Sequence, residues 1–205
     1  MNASIAPSAL SPVHDALRSH AHVGKRAPPS DLLSITDHSL LPRAGVKGPG
    51  AAAWLEAIGL NLPSLPNHWL ELPQGGLIAR LGQSEYWIDG NAEAVGKLAA
   101  TARTPGVYPV LRQDASFALS GSRVNELFLQ TCNVDFRTLD ADPSLLLMTS
   151  MVGVSVVVVP LVPLKTGASP AYRLWCDGTY GLYLWETLNE IITEITEPGA
   201  GVALT

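Results

Sequence analysis

The sequence predicts an α+β fold in which a strand–helix–strand–strand–helix unit is used twice, giving antiparallel-rich sheets with helices on one face. Three observations carry that prediction. First, Arg112 to Arg137, RQDASFALSGSRVNELFLQTCNVDFR, reads as a short strand, a tight turn at Gly121, an amphipathic helix and an exit into the next strand. In its helix Val124, Leu127, Phe128, Thr131 and Cys132 recur at i, i+3, i+4, i+7 and i+8, one face of a 3.6-residue period. Second, Ala44 to Leu62, AGVKGPGAAAWLEAIGLNL, repeats the pattern. With Gly48 laid on Gly121, Ala51, Trp54, Leu55, Ile58 and Gly59 fall on those face positions. Third, EYWIDG at 85–90 matches RLWCDG at 173–178, with Trp87 on Trp175 and Asp89 on Asp177. A longer linker in the second half absorbs the slip in register between the two matches.

The chain divides into an arm and two halves. Residues 1–31 are rich in Ala, Ser, Pro and His and read as a flexible N-terminal arm. Within it Ser11 as cap and Pro12 in the first turn start a short helix to about His20. Residues 32–103 form the first half and 104–205 the second, the two making one intimate pseudo-duplicated domain. In the first half, Leu32 to Ile35 and Arg43 to Lys47 are short strand candidates. Gly48-Pro49-Gly50 then turns the chain into a helix. Asn61 to Pro73, with Pro63, Pro66 and Pro73, reads as a loop. Gly75 and Gly76 introduce the strand LIARLG, and a hairpin through Gly82-Gln83-Ser84 leads to EYWID. A helix over 91–102 follows, and Thr104-Pro105-Gly106 breaks the chain. In the second half a strand at 116–120 enters a helix at 122–132. An acidic loop around Asp140 and Asp142 comes next, then a strand at 151–159 and a loop over 160–170. The strand YRLWC at 172–176 and a helix from about Thr179 to Thr196 close the chain. The face of that helix is Leu184, Leu188, Ile191, Ile192 and Ile195.

Composition narrows the function classes. Of 205 residues 47% are apolar and only 15% charged, ample for a core and too apolar for disorder. The net charge of −5 comes without any Lys/Arg cluster, so a nucleic-acid footprint is absent. So sparse a charged surface suggests that another chain covers part of the apolar surface. Cys132 and Cys176 both sit in apolar patterns with no C-x-x-C, which reads as two buried thiols in a reducing compartment. Met1 to Ser30 lacks the charged start and apolar run of a secretory signal, so a cytoplasmic protein is expected. The apolar run Leu145 to Val162 is long enough to cross a bilayer, but Thr149, Ser150, Gly153, Ser155 and Pro160 interrupt it. Its valine-rich second half favours a buried strand.

No motif assembles an active site. Lys47-Gly48-Pro49-Gly50 opens a helix after a strand, as an anion-binding turn does, but matches no phosphate-loop pattern. Ser120-Gly121-Ser122-Arg123 stands in its place in the second half, so a structural strand-to-helix turn explains both. Asp89 and Asp177, each between a strand and a helix, are expected to cap helices. The histidines His14, His20, His22, His38 and His68 form no zinc-ligand spacing, and neither cysteine has an evident His partner. Catalytic, cofactor-binding and metal residues are therefore expected to be none in this chain. Tyr172, Trp175, Tyr180, Tyr183 and Trp185 cluster near the C terminus, either as a core corner or as interface anchors. Glu186, Glu190, Glu194 and Glu197 form an acidic ridge, either a solvated face or a match for a basic partner. Trp175, Tyr180, Tyr183, Trp185, Glu186, Glu190 and Glu194 are the candidate interface residues.

The segments LLPRAGVKGPGAAAWL, GGLIARLGQSEYWIDG, RQDASFALSG followed by QTCNVDFR, MTSMVGVSVVVV and YRLWCDGTYGLYLWETL resemble the γ-subunit family of heterotetrameric sarcosine oxidases. The resemblance covers about His38 to Glu190 and is most specific in the last three segments. That family is related to the folate-binding fold of aminomethyltransferase. The resemblance implies an oxidoreductase complex that demethylates sarcosine to glycine, forms hydrogen peroxide and passes the one-carbon unit to tetrahydrofolate. It implies α, β and δ subunits as partners, with NAD, FAD, covalent FMN and zinc held in those chains and no cofactor here. Two alternatives stand beside it: the small subunit of the related N-methylglutamate dehydrogenase, and a stand-alone folate or one-carbon binding protein.

Overall fold

The computed structural model describes residues 10–17, 31–136, 142–161 and 169–197. Their order is β1 (Ser34–Asp37), β2 (Arg43–Lys47), α1 (Ala51–Ala57), β3 (His68–Glu71), β4 (Leu77–Arg80), β5 (Glu85–Asp89) and α2 (Ala92–Ala100). The chain continues through β6 (Tyr108–Val110), β7 (Ala115–Ser120), α3 (Val124–Thr131), β8 (Leu147–Met151), β9 (Val154–Pro160), β10 (Ala171–Cys176) and α4 (Gly181–Thr196). A 3₁₀ turn, Gly178–Tyr180, leads into α4. The predicted α+β class and antiparallel sheets are what the chain forms.

The strands make two five-stranded antiparallel sheets. One has the order β3-β4-β5-β2-β6, the other β8-β9-β10-β7-β1. Laid over each other, β2 to β5 of the first sheet take the places of β7 to β10 of the second. The fifth strand of each is lent across the molecule. β1 precedes the first sheet in sequence but pairs with β7, Ser34 opposite Ser120. β6 follows the first half but pairs with β2, Lys47 opposite Tyr108. A division of the chain at 103/104 therefore runs through both sheets rather than between them.

Alternation along the strands sorts side chains into three cores. On one face of the first sheet Tyr86, Ile88 and Ile78 pack with Trp54 and Leu55 of α1 and Leu98 of α2. On one face of the second, Phe117, Leu174 and Val158 pack with Leu127 and Phe128 of α3 and Leu184 and Leu188 of α4. The intervening residues, Leu77, Ala79, Trp87, Val159 and Trp175, pack the two sheets against each other. The layers are thus helices, sheet, sheet, helices. A strand buried on both faces needs no polar alternation, which is why β9 reads VSVVVVP.

The helices follow their sequence signals with shorter bounds. α2 begins where Asn91 Oδ1 accepts the Ala94 amide at 2.8 Å, and Glu93 pairs with Lys97 along it at 2.7 Å. Sequence reading missed β3, β6 and β8. β3 and β6 are four and three residues long and only partly buried, with Pro109 inside β6. β8 was hidden in the run Leu145 to Val162, of which residues 147–160 fold as a hairpin rather than one strand. Its turn is Val152-Gly153, both with positive φ, 45° and 83°. Among the described residues no helix is long and apolar enough to cross a membrane.

In the N-terminal arm the short helix expected after Ser11 is present at residues 14–17. The described part is packed rather than flexible, with Val13 and Ala16 buried in the core that α3 and α4 cover. Ser11 Oγ accepts the Val13 amide at 3.2 Å and donates to Asp37 Oδ2 at 2.5 Å, tying the arm to β1. Apolar burial of two side chains and a charge-assisted hydrogen bond outweigh the freedom that a Pro/Ser-rich segment retains in isolation. The rest of the arm, His20, His22 and Asp140 lie outside the described residues.

Candidate functional site

The two strand-to-helix turns are built by close backbone packing. Gly48 has φ 118°, and a Cβ there would strike the Gly106 carbonyl and the Tyr108 ring. Gly121 has φ 131°, and a Cβ there would strike the Leu32 carbonyl. The amides that an anion would need are taken: Gly50 N donates to Gly106 O at 3.1 Å, and Arg123 N to Leu32 O at 2.8 Å. The segment leading into each lent strand thus satisfies the turn beside it. This is the structural reading of both turns, and it leaves no anion site at either.

A charged cluster lies on the inter-sheet side of β5 and β10. Asp89 stands on the same strand face as Trp87 and is buried, so it is not the helix cap expected from sequence; Asn91 caps α2 instead. Arg43, directly opposite on β2, brings Nε to 3.2 Å from Asp89 Oδ1, an ion pair too poorly aligned to be a hydrogen bond. Arg173 from the other sheet donates from Nη1 to Asp89 Oδ2 at 3.1 Å. Arg43 also donates to the backbone carbonyls of Asp114 and His38. Burial pushes the Asp89 carboxyl above the ordinary carboxylate range, against the pull of Arg43 and then Arg173. Burial also lowers His38, with Arg173 adding to the effect. The cluster ties the two sheets together and is committed within the fold.

Beside this cluster an open cleft of about 610 Å³ lies between residues 111–114 and the turn into α4. Leu111, Gln113 and Asp114 form one wall, Asp177, Gly178 and Thr179 the other, and Pro12 closes an end. Gly178 permits the approach, since a Cβ there would sit 2.6 Å from the Gln113 carbonyl. Asp177 does cap as expected: its Oδ1 accepts the Thr179 amide at 2.8 Å and the Thr179 hydroxyl at 2.6 Å. Those bonds hold its carboxyl below the usual range. Burial raises Asp114, opposed first by Arg112. Sequence reading missed this cleft, because it joins residues more than sixty positions apart and no motif marks either wall.

The structure separates the candidate interface residues into two groups. Trp175 is 1% exposed and meets Trp87 edge-on, ring centroids 4.6 Å apart, in the core between the sheets. Trp185 is 6% exposed and packs on Phe117. Neither offers surface to a partner, which corrects their inclusion: an indole at those strand and helix positions points inward. Tyr180 and Tyr183 are about half exposed, and Glu186, Glu190 and Glu194 lie on the outer face of α4. Tyr183 donates to the Val152 carbonyl at 3.1 Å, pinning the start of α4 to the β8–β9 turn. Both cysteines are free, Cys176 buried and Cys132 half-buried at the end of α3. Among the described residues no three His, Cys, Asp or Glu side chains group to hold a metal ion.

No family model and no curated protein sequence matches the chain. Solved structures do. One is a chain of the heterotetrameric sarcosine oxidase from Corynebacterium sp. U-96 in complex with pyrrole 2-carboxylate, with a TM-score of 0.69 and 15% identity. That match covers 95% of this chain and 98% of the other. A second is the glycine cleavage system aminomethyltransferase T from Bartonella henselae, TM-score 0.51 and 15% identity, covering 84% of this chain and 48% of that one. Over 95% of its length the chain therefore shares the fold of a chain of heterotetrameric sarcosine oxidase, and about half of an aminomethyltransferase is built in a similar way.

Proposed function

We propose that this chain is a non-catalytic γ-type subunit of a heterotetrameric sarcosine oxidase, assembled with α, β and δ subunits. Such a complex demethylates sarcosine to glycine with hydrogen peroxide as product and tetrahydrofolate as one-carbon acceptor. FAD, FMN, NAD and zinc belong, on this proposal, to the other chains. The observation that supports it most is the mutual coverage: nearly all of this chain matches nearly all of a chain that works inside such an oxidase. The buried charged cluster adds support, because Asp89 pairs with both Arg43 and Arg173 and links the sheets rather than meeting a substrate. We place the protein in the cytoplasm, a reducing compartment in which free thiols such as Cys132 and Cys176 persist.

The test is a native co-purification. The tagged chain is isolated gently from its own host, and the visible spectrum and partner masses are recorded. A yellow assembly with one large chain, one flavoprotein and one small zinc-binding chain is expected. Turnover of sarcosine against N-methylglutamate then distinguishes the oxidase from the related dehydrogenase. A second reading, a stand-alone folate binder, draws on the aminomethyltransferase likeness. A lone chain that binds tetrahydrofolate in titration would favour it, and a stoichiometric flavin spectrum from this chain alone would sink the subunit proposal.

A further inference from the structure

The cleft between residues 111–114 and the turn into α4 carries two carboxylates, Asp114 and Asp177, and no cation among its lining residues. The neighbouring arginines, Arg112 and Arg43, act on the Asp114 carboxyl through their charge but bond to other acceptors. Arg112 pairs with Glu85 and lies over the Trp87 ring, 4.9 Å from its centroid. Arg43 is held by Asp89 and two backbone carbonyls. Asp114 Oδ2 is shielded from solvent yet receives no hydrogen bond. A shielded carboxylate oxygen without a donor is costly, and the residue that carries it lines the cleft. At the rim stands Leu111, 80% exposed and the most exposed large apolar side chain among the described residues. Tyr180, 55% exposed, follows directly on the cleft wall at Thr179. A concave acidic site with an apolar anchor beside it has the anatomy of a docking point for another protein.

We propose that this cleft is a socket for a lysine or arginine side chain of a partner subunit, next to an apolar partner residue that packs on Leu111. The proposal rests on the subunit reading above. Charge complementarity selects the occupant: the lining is acidic, and the chain as a whole carries a net charge of −5.

The test measures affinity of the purified chain for the remaining subunits of the co-expressed oxidase, at low and high salt. One variant combines Asp114→Asn with Asp177→Ser, which removes both charges while serine still caps the turn. A second is Leu111→Ser, on a side chain too exposed to disturb folding. Each is expected to weaken association at least tenfold, and the double variant also flattens the salt dependence. Glu56→Gln, on the exposed face of α1, leaves the affinity unchanged. If the unaltered chain assembles and both variants match it, the socket is wrong while the subunit reading stands. If the unaltered chain captures none of the other subunits, the subunit reading falls and the socket with it. Self-association of the isolated chain that Leu111→Ser abolishes also overturns the proposal. Should the double variant fail to fold, Leu111→Ser decides alone.

Discussion

Gly121 and Gly153 both hold positive φ, 131° and 83°, yet they are different kinds of glycine. Around Gly153 nothing lies within 4 Å of where a Cβ would be, whereas at Gly121 the Leu32 carbonyl occupies that space. Gly153→Ala therefore carries only the left-handed backbone penalty, about 1 kcal/mol. Gly121→Ala adds a steric collision that the lead-in to β1 must move to relieve, and a markedly larger loss of stability is expected in urea melts. Equal losses would show that β1 is not packed as described. The cysteines form a second contrast. Burial, with Asp114 and Asp177 nearby, pushes the Cys176 thiol up to about 12, while Cys132 is raised by burial but partly open. Since the thiolate is the reacting species, a thiol reagent at pH 8 should label Cys132 in the native protein and Cys176 only after denaturation. Equal rates for the two in the native state would contradict the burial of β10.

Helix α3 shows how far periodicity alone reaches. Of the face read from sequence, Val124, Leu127, Phe128 and Thr131 are buried, Cys132 is half-buried just past the helix end, and Phe128 stacks on Phe136 with centroids 4.1 Å apart. Leu127→Ala or Phe128→Ala is expected to cost about 2–5 kcal/mol through the cavity left behind. A thermal melt unchanged by both would undo the assignment. The missed elements share a physical reason. β3, β6 and β8 are edge strands whose residues are partly in water, so apolar periodicity is weak there and backbone pairing does the work. The site was legible only in part for a similar reason. The exposed tyrosines and glutamates of α4 were visible as a helical pattern. The inward direction of Trp175 and Trp185 depends on which strand face and helix face meets a second layer, which one chain segment does not encode. Asp89 reads as a cap because it ends its strand just before α2, while its pairing with Arg43 comes from a strand more than forty residues away.

Across the molecule, the buried carboxylates give the fold a pH dependence opposite to that of its surface. Burial raises Asp114 from its ordinary 3.8, so the folded chain keeps that proton at pH values where the unfolded chain has lost it. The stability this group contributes is complete below 3.8 and is lost as pH rises through the raised value. Asp142, held down by Ser144 and His68, acts in the other sense and loses its contribution as pH falls through its lowered value. The stability of the unaltered chain minus that of Asp114→Asn, followed by urea unfolding, is expected to fall as pH is raised above 3.8. A difference independent of pH would mean that the carboxyl is solvated in the fold.

The exchange of β1 and β6 has a kinetic consequence. Neither sheet is complete until a strand from the far side of the sequence arrives: β1 must find β7 across more than eighty residues, Ser34 to Ser120. Loop closure over such distances must be met before either sheet gains its last edge, so a slow, single-step folding reaction is favoured over two independent ones. A nick in the chain near Pro105 would then leave two fragments, each carrying the strand that the other lacks. They would be able to hold together as a non-covalent pair but not to stand apart.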